Sequence, residues 1–203
     1  MGGVAKRTII FLTLVSEGGL FSLALLLGFC FSVSLEIRLV SEEILQGIWA
    51  TFPLLAFNLG IFVVLSRRQP YQQYRDFLDD VVFPLCAQLS APYALFVSIA
   101  AGIGEEFFFR GILPEVLRGY LPVTLIAVLT SFLFSYIHFI GNFHRFRGLV
   151  LLYFMIGLYF YYLANESAGL VAATVCHIFY DFIVISYIHY IEIPYHSLSQ
   201  AEK

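Results

Sequence analysis

The stretch GEEFFFRGILPE, residues 104–115, sets Glu105, Glu106 and Arg110 in a run that is otherwise almost entirely apolar. An unpaired charge in hydrocarbon costs several kcal/mol, so the surroundings decide what such residues are for. Those surroundings are apolar throughout: the chain has 203 residues, 60% of them hydrophobic and 12% charged. A soluble domain of this length is nearer 45–50% apolar and about 25% charged. The excess runs along most of the chain, which predicts one all-α, polytopic transmembrane helix bundle over residues 1–203 with no separate soluble domain. The net charge of −3 gives no sign of a nucleic-acid partner or of a polybasic lipid-binding surface.

A spanning helix needs about 20 apolar residues. Six candidates meet or approach that length: Thr8 to Ser34, Ile44 to Leu65, Ala91 to Leu117, Pro122 to Asn142, Gly148 to Leu163, and Gly169 to Ile191. The segment YQQYRDFLDD, residues 71–80, reads as a loop or short interfacial helix. The apolar region from Val81 to Leu117, broken by Pro84 and Pro92, is too long for one straight span. A re-entrant or interfacial piece is therefore expected before Ala91. Lys6 and Arg7 ahead of the first apolar run resemble a signal peptide, but the run is too long and lacks a small-residue cleavage site, which predicts a retained first span. Lys6, Arg7, Arg67, Arg68, Arg75, Arg145, Arg147 and Lys203 fall on one side of six spans, Arg38 and Arg118 on the other. Both termini are thus predicted to be cytoplasmic. Cys30, Cys86 and Cys176 stand singly in apolar runs and read as small buried hydrophobes, with no spacing for a disulfide framework or zinc knuckle.

Ionisable residues inside spans are functional candidates. Besides Glu105, Glu106 and Arg110, these are His138 late in the fourth span, and His177 and Asp181 in the sixth. Glu106 and Arg110 are i,i+4, one turn apart on one face, and can pair. Glu105 points about 100° away from Glu106 and is free of that pairing. A spare carboxylate beside a neutralised pair suits a general base. His177 and Asp181, also i,i+4, can project into one cavity, and Ser131 and Ser135 offer polar neighbours to His138. The bland reading is a structural ion pair and packing histidines; two histidines, a glutamate and an aspartate on three helices of so apolar a chain argue against it. Asn58 reads as interhelical glue, Glu17 is left unassigned, and His144, His189 and His196 lie near membrane edges, where an interfacial role is expected.

The order Glu105-Glu106-x-x-x-Arg110, Phe134-x-x-x-His138, His177-x-x-x-Asp181 resembles the three-motif signature of the CAAX protease and bacteriocin-processing (CPBP) family of intramembrane endopeptidases, related to the enzyme that trims prenylated CAAX proteins. The likeness covers about residues 90–185, a CPBP-like catalytic core. It implies a glutamic intramembrane protease with its cavity inside the bundle, Glu105 and His138 activating water, His177 and Asp181 stabilising the oxyanion, and Glu106 and Arg110 in support. Asparagine often occupies the position of Asp181; an ionised aspartate cannot donate to an oxyanion, so it must be protonated or act through His177. The resemblance implies no cofactor, although Glu105, His138, His177 and Asp181 could alternatively hold zinc.

Implied partners are the lipid bilayer and a peptide or protein substrate, such as a terminal tail, reaching the site laterally from the membrane. Short length and compact loops suggest a prokaryotic cytoplasmic membrane. Two other classes stay open: a proton- or ion-coupled transporter, for which buried Glu/His/Asp chains also serve, and a catalytically silent partner-binding or immunity protein on the same fold.

Overall fold

A computed structural model describes residues 6–35, 37, 40–65 and 71–193. Glu36, Arg38, Arg67, Arg68, the Gln69-Pro70 turn, Pro194, His196 and Lys203 lie outside the described residues, so the orientation expectation rests on the charge count alone. Among the described residues there are helices and no strand. We number them α1 (Lys6–Cys30), α2 (Ser41–Leu65), α3 (Gln72–Cys86), α4 (Ala91–Arg118), α5 (Val123–His138), α6 (Arg147–Asn165) and α7 (Leu170–Glu192).

The chain forms a polytopic helical bundle. Helices α1, α2, α6 and α7 are each long and apolar enough to cross a membrane, and the α3–α4 pair together makes a fifth candidate. That pair is bent by 113°. The break falls at residues 87–90, where Ser90 adopts extended backbone and Pro92 sits in the first turn of the new helix, where no N–H partner is needed. The piece expected before Ala91 is thus a helix steeply inclined to α4. It begins within residues 71–80, the stretch for which a loop or a short interfacial helix was expected. Helix α5 is apolar but only 16 residues long, about 24 Å against a hydrocarbon core of about 30 Å. The fourth span was expected to reach Asn142; it stops at His138, where Phe139 leaves helical geometry at φ −121° and Gly141 follows at φ +83°. His138 consequently sits at a helix end inside the bundle.

Helix α7 packs against α2 and α4, α5 against α6, and α1 against α4. Without a hydrophobic force between helices in lipid, small residues at the contacts set how closely the helices approach. A Cβ at Gly102 would stand 2.5 Å from Ile178 Cγ1 and 3.2 Å from the Thr174 carbonyl oxygen, so only glycine lets α4 and α7 come this near. The outer helices carry the lipid-facing surface: 11% of the α1 span is buried against 39% of α6. Phe11, Leu12, Phe29, Trp49 and Leu59 are exposed, as a bilayer-facing wall requires. Cys86 and Cys176 are buried as expected, whereas Cys30, at the end of α1, is exposed.

Inside α4, residues Phe107–Ile112 form a wide, π-helical turn immediately after the two glutamates. Pro114 has no N–H to offer the Arg110 carbonyl four residues back. Asn165 Nδ2 from α6 donates to that oxygen at 3.5 Å and also to the Tyr161 carbonyl at 3.2 Å. Such turns recur at functional sites because they re-aim side chains without ending the helix.

Candidate active site

The glutamates separate at once. Glu106 is fully buried, and its Oε1 accepts from Arg110 Nη1 at 3.0 Å and from His177 Nδ1 at 2.8 Å. Arg110, 2% exposed, spends a second N–H on the Gly157 carbonyl at 3.3 Å. Its guanidinium lies 4.0 Å from the Phe134 ring centroid and 5.3 Å from that of Phe160, so aromatic faces replace water around the charge. The expected i,i+4 pair is therefore present, and it is part of a larger lock that ties α4 to α5, α6 and α7.

Glu105 faces elsewhere. It is 7% exposed, and its Oε2 has no hydrogen-bond partner. That oxygen stands 3.8 Å from His138 Nε2, too long for a hydrogen bond and suited to a bridging water. The tautomer of His138 follows from its other nitrogen: Nδ1 donates to the Phe134 carbonyl at 2.7 Å. Nε2 then carries the lone pair toward Glu105. The ring is wedged between Phe134 and Tyr153, with centroids 4.8 and 4.9 Å away, yet 27% of the side chain stays accessible.

His177, 5% exposed, is stacked on Phe160 at 4.8 Å with an interplanar angle of 15°. Its Nδ1 is taken by Glu106, and its Nε2 lies 3.4 Å from Asp181 Oδ2. A cavity of about 430 Å³ is lined by Glu105, His138, His177 and Asp181, with Tyr153 and Tyr180 among its walls. The four side chains singled out in the sequence thus share one largely apolar chamber.

Other expectations fare differently. Ser135 Oγ donates to the Val150 carbonyl, and Ser131 packs where a Cβ on Gly157 would come within 3.0 Å of it. Both join α5 to α6, and among the described contacts neither serves His138. Asn58 Nδ2 donates to the Tyr180 hydroxyl, linking α2 to α7. His189 Nδ1 donates to the Cys86 carbonyl at 2.8 Å, fastening the end of α7 to α3. His144 is exposed. The second partner of Glu106 escaped the sequence reading, as did Tyr153 and Phe160, because each contact joins helices distant in the chain. An aromatic-rich run on α6, YFMIGLYFYY, residues 153–162, is the signal that could have pointed to them.

A zinc ion would need Glu105, His138, His177 and Asp181 to turn donor atoms to one point. Both nitrogens of His177 face carboxylates, and Nδ1 of His138 faces a backbone carbonyl. Among the described residues no group of three His, Cys, Asp or Glu side chains is arranged to hold a metal ion. In this arrangement the four residues do not fit that ligand set.

Residues 87–183 match the family model described as Rce1-like, type II CAAX prenyl endopeptidase. The matched segment holds all three motif stretches, and it is the protease family that those motifs resemble. No curated protein and no solved structure shows significant similarity to the chain.

Proposed function

We propose that this chain, which carries an Rce1-like domain at residues 87–183, is a glutamic intramembrane endopeptidase that hydrolyses a peptide bond in a membrane-associated peptide or protein. The family supports a CAAX-type intramembrane endopeptidase; the roles below are our reading of the geometry. The observation that carries it is the 3.8 Å separation between the buried, unpartnered Glu105 Oε2 and His138 Nε2, next to a glutamate whose Oε1 already has two partners.

In this reading a water held in that gap gives a proton to Glu105 while its oxygen bonds to the scissile carbonyl carbon. His138, its Nε2 lone pair directed at the gap, fixes the water and carries the proton on. The oxyanion that develops needs a donor placed in advance. A doubly protonated His177, held between Glu106 and Asp181, supplies it through Nε2–H. Collapse breaks the carbon–nitrogen bond, and the proton first taken by Glu105 passes to the leaving amine. Asp181 then acts by orienting and charge-balancing His177, without itself donating. Asp181→Asn, which brings an amide donor, is expected to keep activity within about tenfold, whereas Asp181→Leu loses about 10²-fold; assays of both on one cleavable substrate check this. Equal activity of Asp181→Leu and the parent would remove Asp181 from the mechanism.

The substrate reaches the chamber laterally from the bilayer. Prenylated tails, leader peptides and C-terminal sorting tails are the substrate classes in view, and a prokaryotic cytoplasmic membrane with both termini cytoplasmic is the setting we propose. The test compares membrane proteomes of strains carrying the parent chain and Glu105→Ala. An uncut precursor accumulating only in the variant strain is expected. A Glu105-dependent transport signal with no such precursor would instead favour an ion-coupled transporter. Cleavage is expected to survive a strong chelator; loss that zinc restores would defeat the mechanism written here.

A further inference from the structure

Glu17 lies on α1, outside the three motifs and outside the matched segment, yet it meets the same reacting pair. With Leu20 and Leu23 it lines a second cavity, of about 400 Å³, whose other walls include Glu105 and His138. Its Oε1 accepts from the Ser16 hydroxyl at 2.8 Å, while its Oε2 is buried without a hydrogen-bond partner. The buried Glu105 Oε2 on the facing wall is likewise unpartnered. Among the described residues no lysine or arginine pairs with Glu17.

Helix packing holds the carboxylate there. A Cβ at Gly104 would come within 2.8 Å of the Glu17 carbonyl oxygen and 3.0 Å of Glu17 Cβ. Only glycine therefore allows α1 this close to α4, beside the residue that precedes Glu105. On the other side the space is open: a Cβ at Gly18 or Gly19 would meet nothing within 4 Å. A carboxylate with one oxygen buried and unpartnered, on a helix set in hydrocarbon, is costly until an opposite charge joins it. The cavity offers that charge a suitable bed, since Leu20 and Leu23 can pack the methylene stem of a long basic side chain whose head reaches Glu17.

We propose that Glu17 recognises a lysine or arginine of the substrate, seated in this second cavity next to the bond to be cut. The proposal rests on the peptidase reading above and narrows its substrates to apolar segments bearing one basic residue near the cleavage point. A Glu17 that merely holds a proton against Ser16 would show no such preference, which makes the two cases separable.

The test uses the full chain reconstituted in lipid nanodiscs and fluorescent Leu/Ala membrane-spanning peptides that carry a single Lys, Gln or Glu moved through successive positions. On a Glu105→Gln background, which binds without cutting, one lysine register is expected to bind about tenfold or more tighter than its glutamine counterpart. Glu17→Gln is expected to remove the difference, and Glu17→Lys to transfer the preference to the glutamate peptide in that register. A gain of that kind cannot arise from misfolding. Equal binding of lysine and glutamine peptides in every register overturns the proposal, as does a lysine preference that survives Glu17→Gln. Cleavage of the panel by the unsubstituted catalytic site separates the two readings. Cutting without lysine preference removes the role of Glu17 alone, whereas Glu17-dependent binding with no cutting supports recognition and counts against the peptidase.

Discussion

Glu105→Gln is expected to lower kcat/KM by about 10³-fold, within the 10²–10⁴-fold range of a lost general base, while leaving the melting temperature of the detergent-solubilised protein close to that of the parent. The neighbouring change, Glu106→Gln, is expected to act first on stability: a marked loss there, with activity per folded molecule falling less than in Glu105→Gln, through the weakened hold on His177. The difference follows from partners. The Oε2 of Glu105 is unpartnered in a cavity, so an amide of the same shape breaks no hydrogen bond there. Glu106 Oε1 accepts from both Arg110 and His177, and glutamine would leave a buried guanidinium without its counter-charge, a loss of about 3–5 kcal/mol. Activity normalised to folded protein, measured beside thermal unfolding, checks both halves. Equal loss of normalised activity in the two variants would show that the glutamates do not divide the work as proposed.

How far these roles could be read beforehand depends on where their causes lie. The Glu106–Arg110 pair is fixed by helical spacing alone, so five consecutive residues suffice to predict it. The freedom of Glu105 follows from the same geometry, being the residue one step round the helix. The apolar runs likewise mark α1, α2, α6 and α7 closely. The contact between Glu106 and His177, 71 residues apart, depends on how near α4 comes to α7, which Gly102 controls through space that no periodicity describes. The end of α5 at His138 was missed because Phe139, Ile140 and Gly141 continue an apolar run while the backbone has already turned. The wide turn at Phe107–Ile112 left no mark in hydropathy. Pro114 was visible, but the donor that repairs its missing hydrogen bond, Asn165, comes from another helix.

Arg110 carries the largest expected effect on folding. Arg110→Leu removes the counter-charge of a fully buried carboxylate and is expected to cost about 3–5 kcal/mol, enough to strip most folded protein from a marginally stable bundle. If the loss comes from the orphaned charge, neutralising it should restore stability: the double change Arg110→Leu with Glu106→Gln is expected to be more stable than Arg110→Leu alone. If instead Arg110 matters mainly as filler between Phe134 and Phe160, the second substitution will add to the damage. Arg110→Lys discriminates further. A lysine head is a point charge that cannot lie flat at 4.0 Å over Phe134 while reaching both the Glu106 carboxylate and the Gly157 carbonyl, so it should fall between the parent and Arg110→Leu. Thermal unfolding of the parent, Arg110→Leu, Glu106→Gln and the double variant in one detergent gives the coupling between the two positions directly. A coupling near zero would mean that Glu106 is held by His177 alone, and that the pair in GEEFFFRGILPE is a neighbour of the active site with no part in building it.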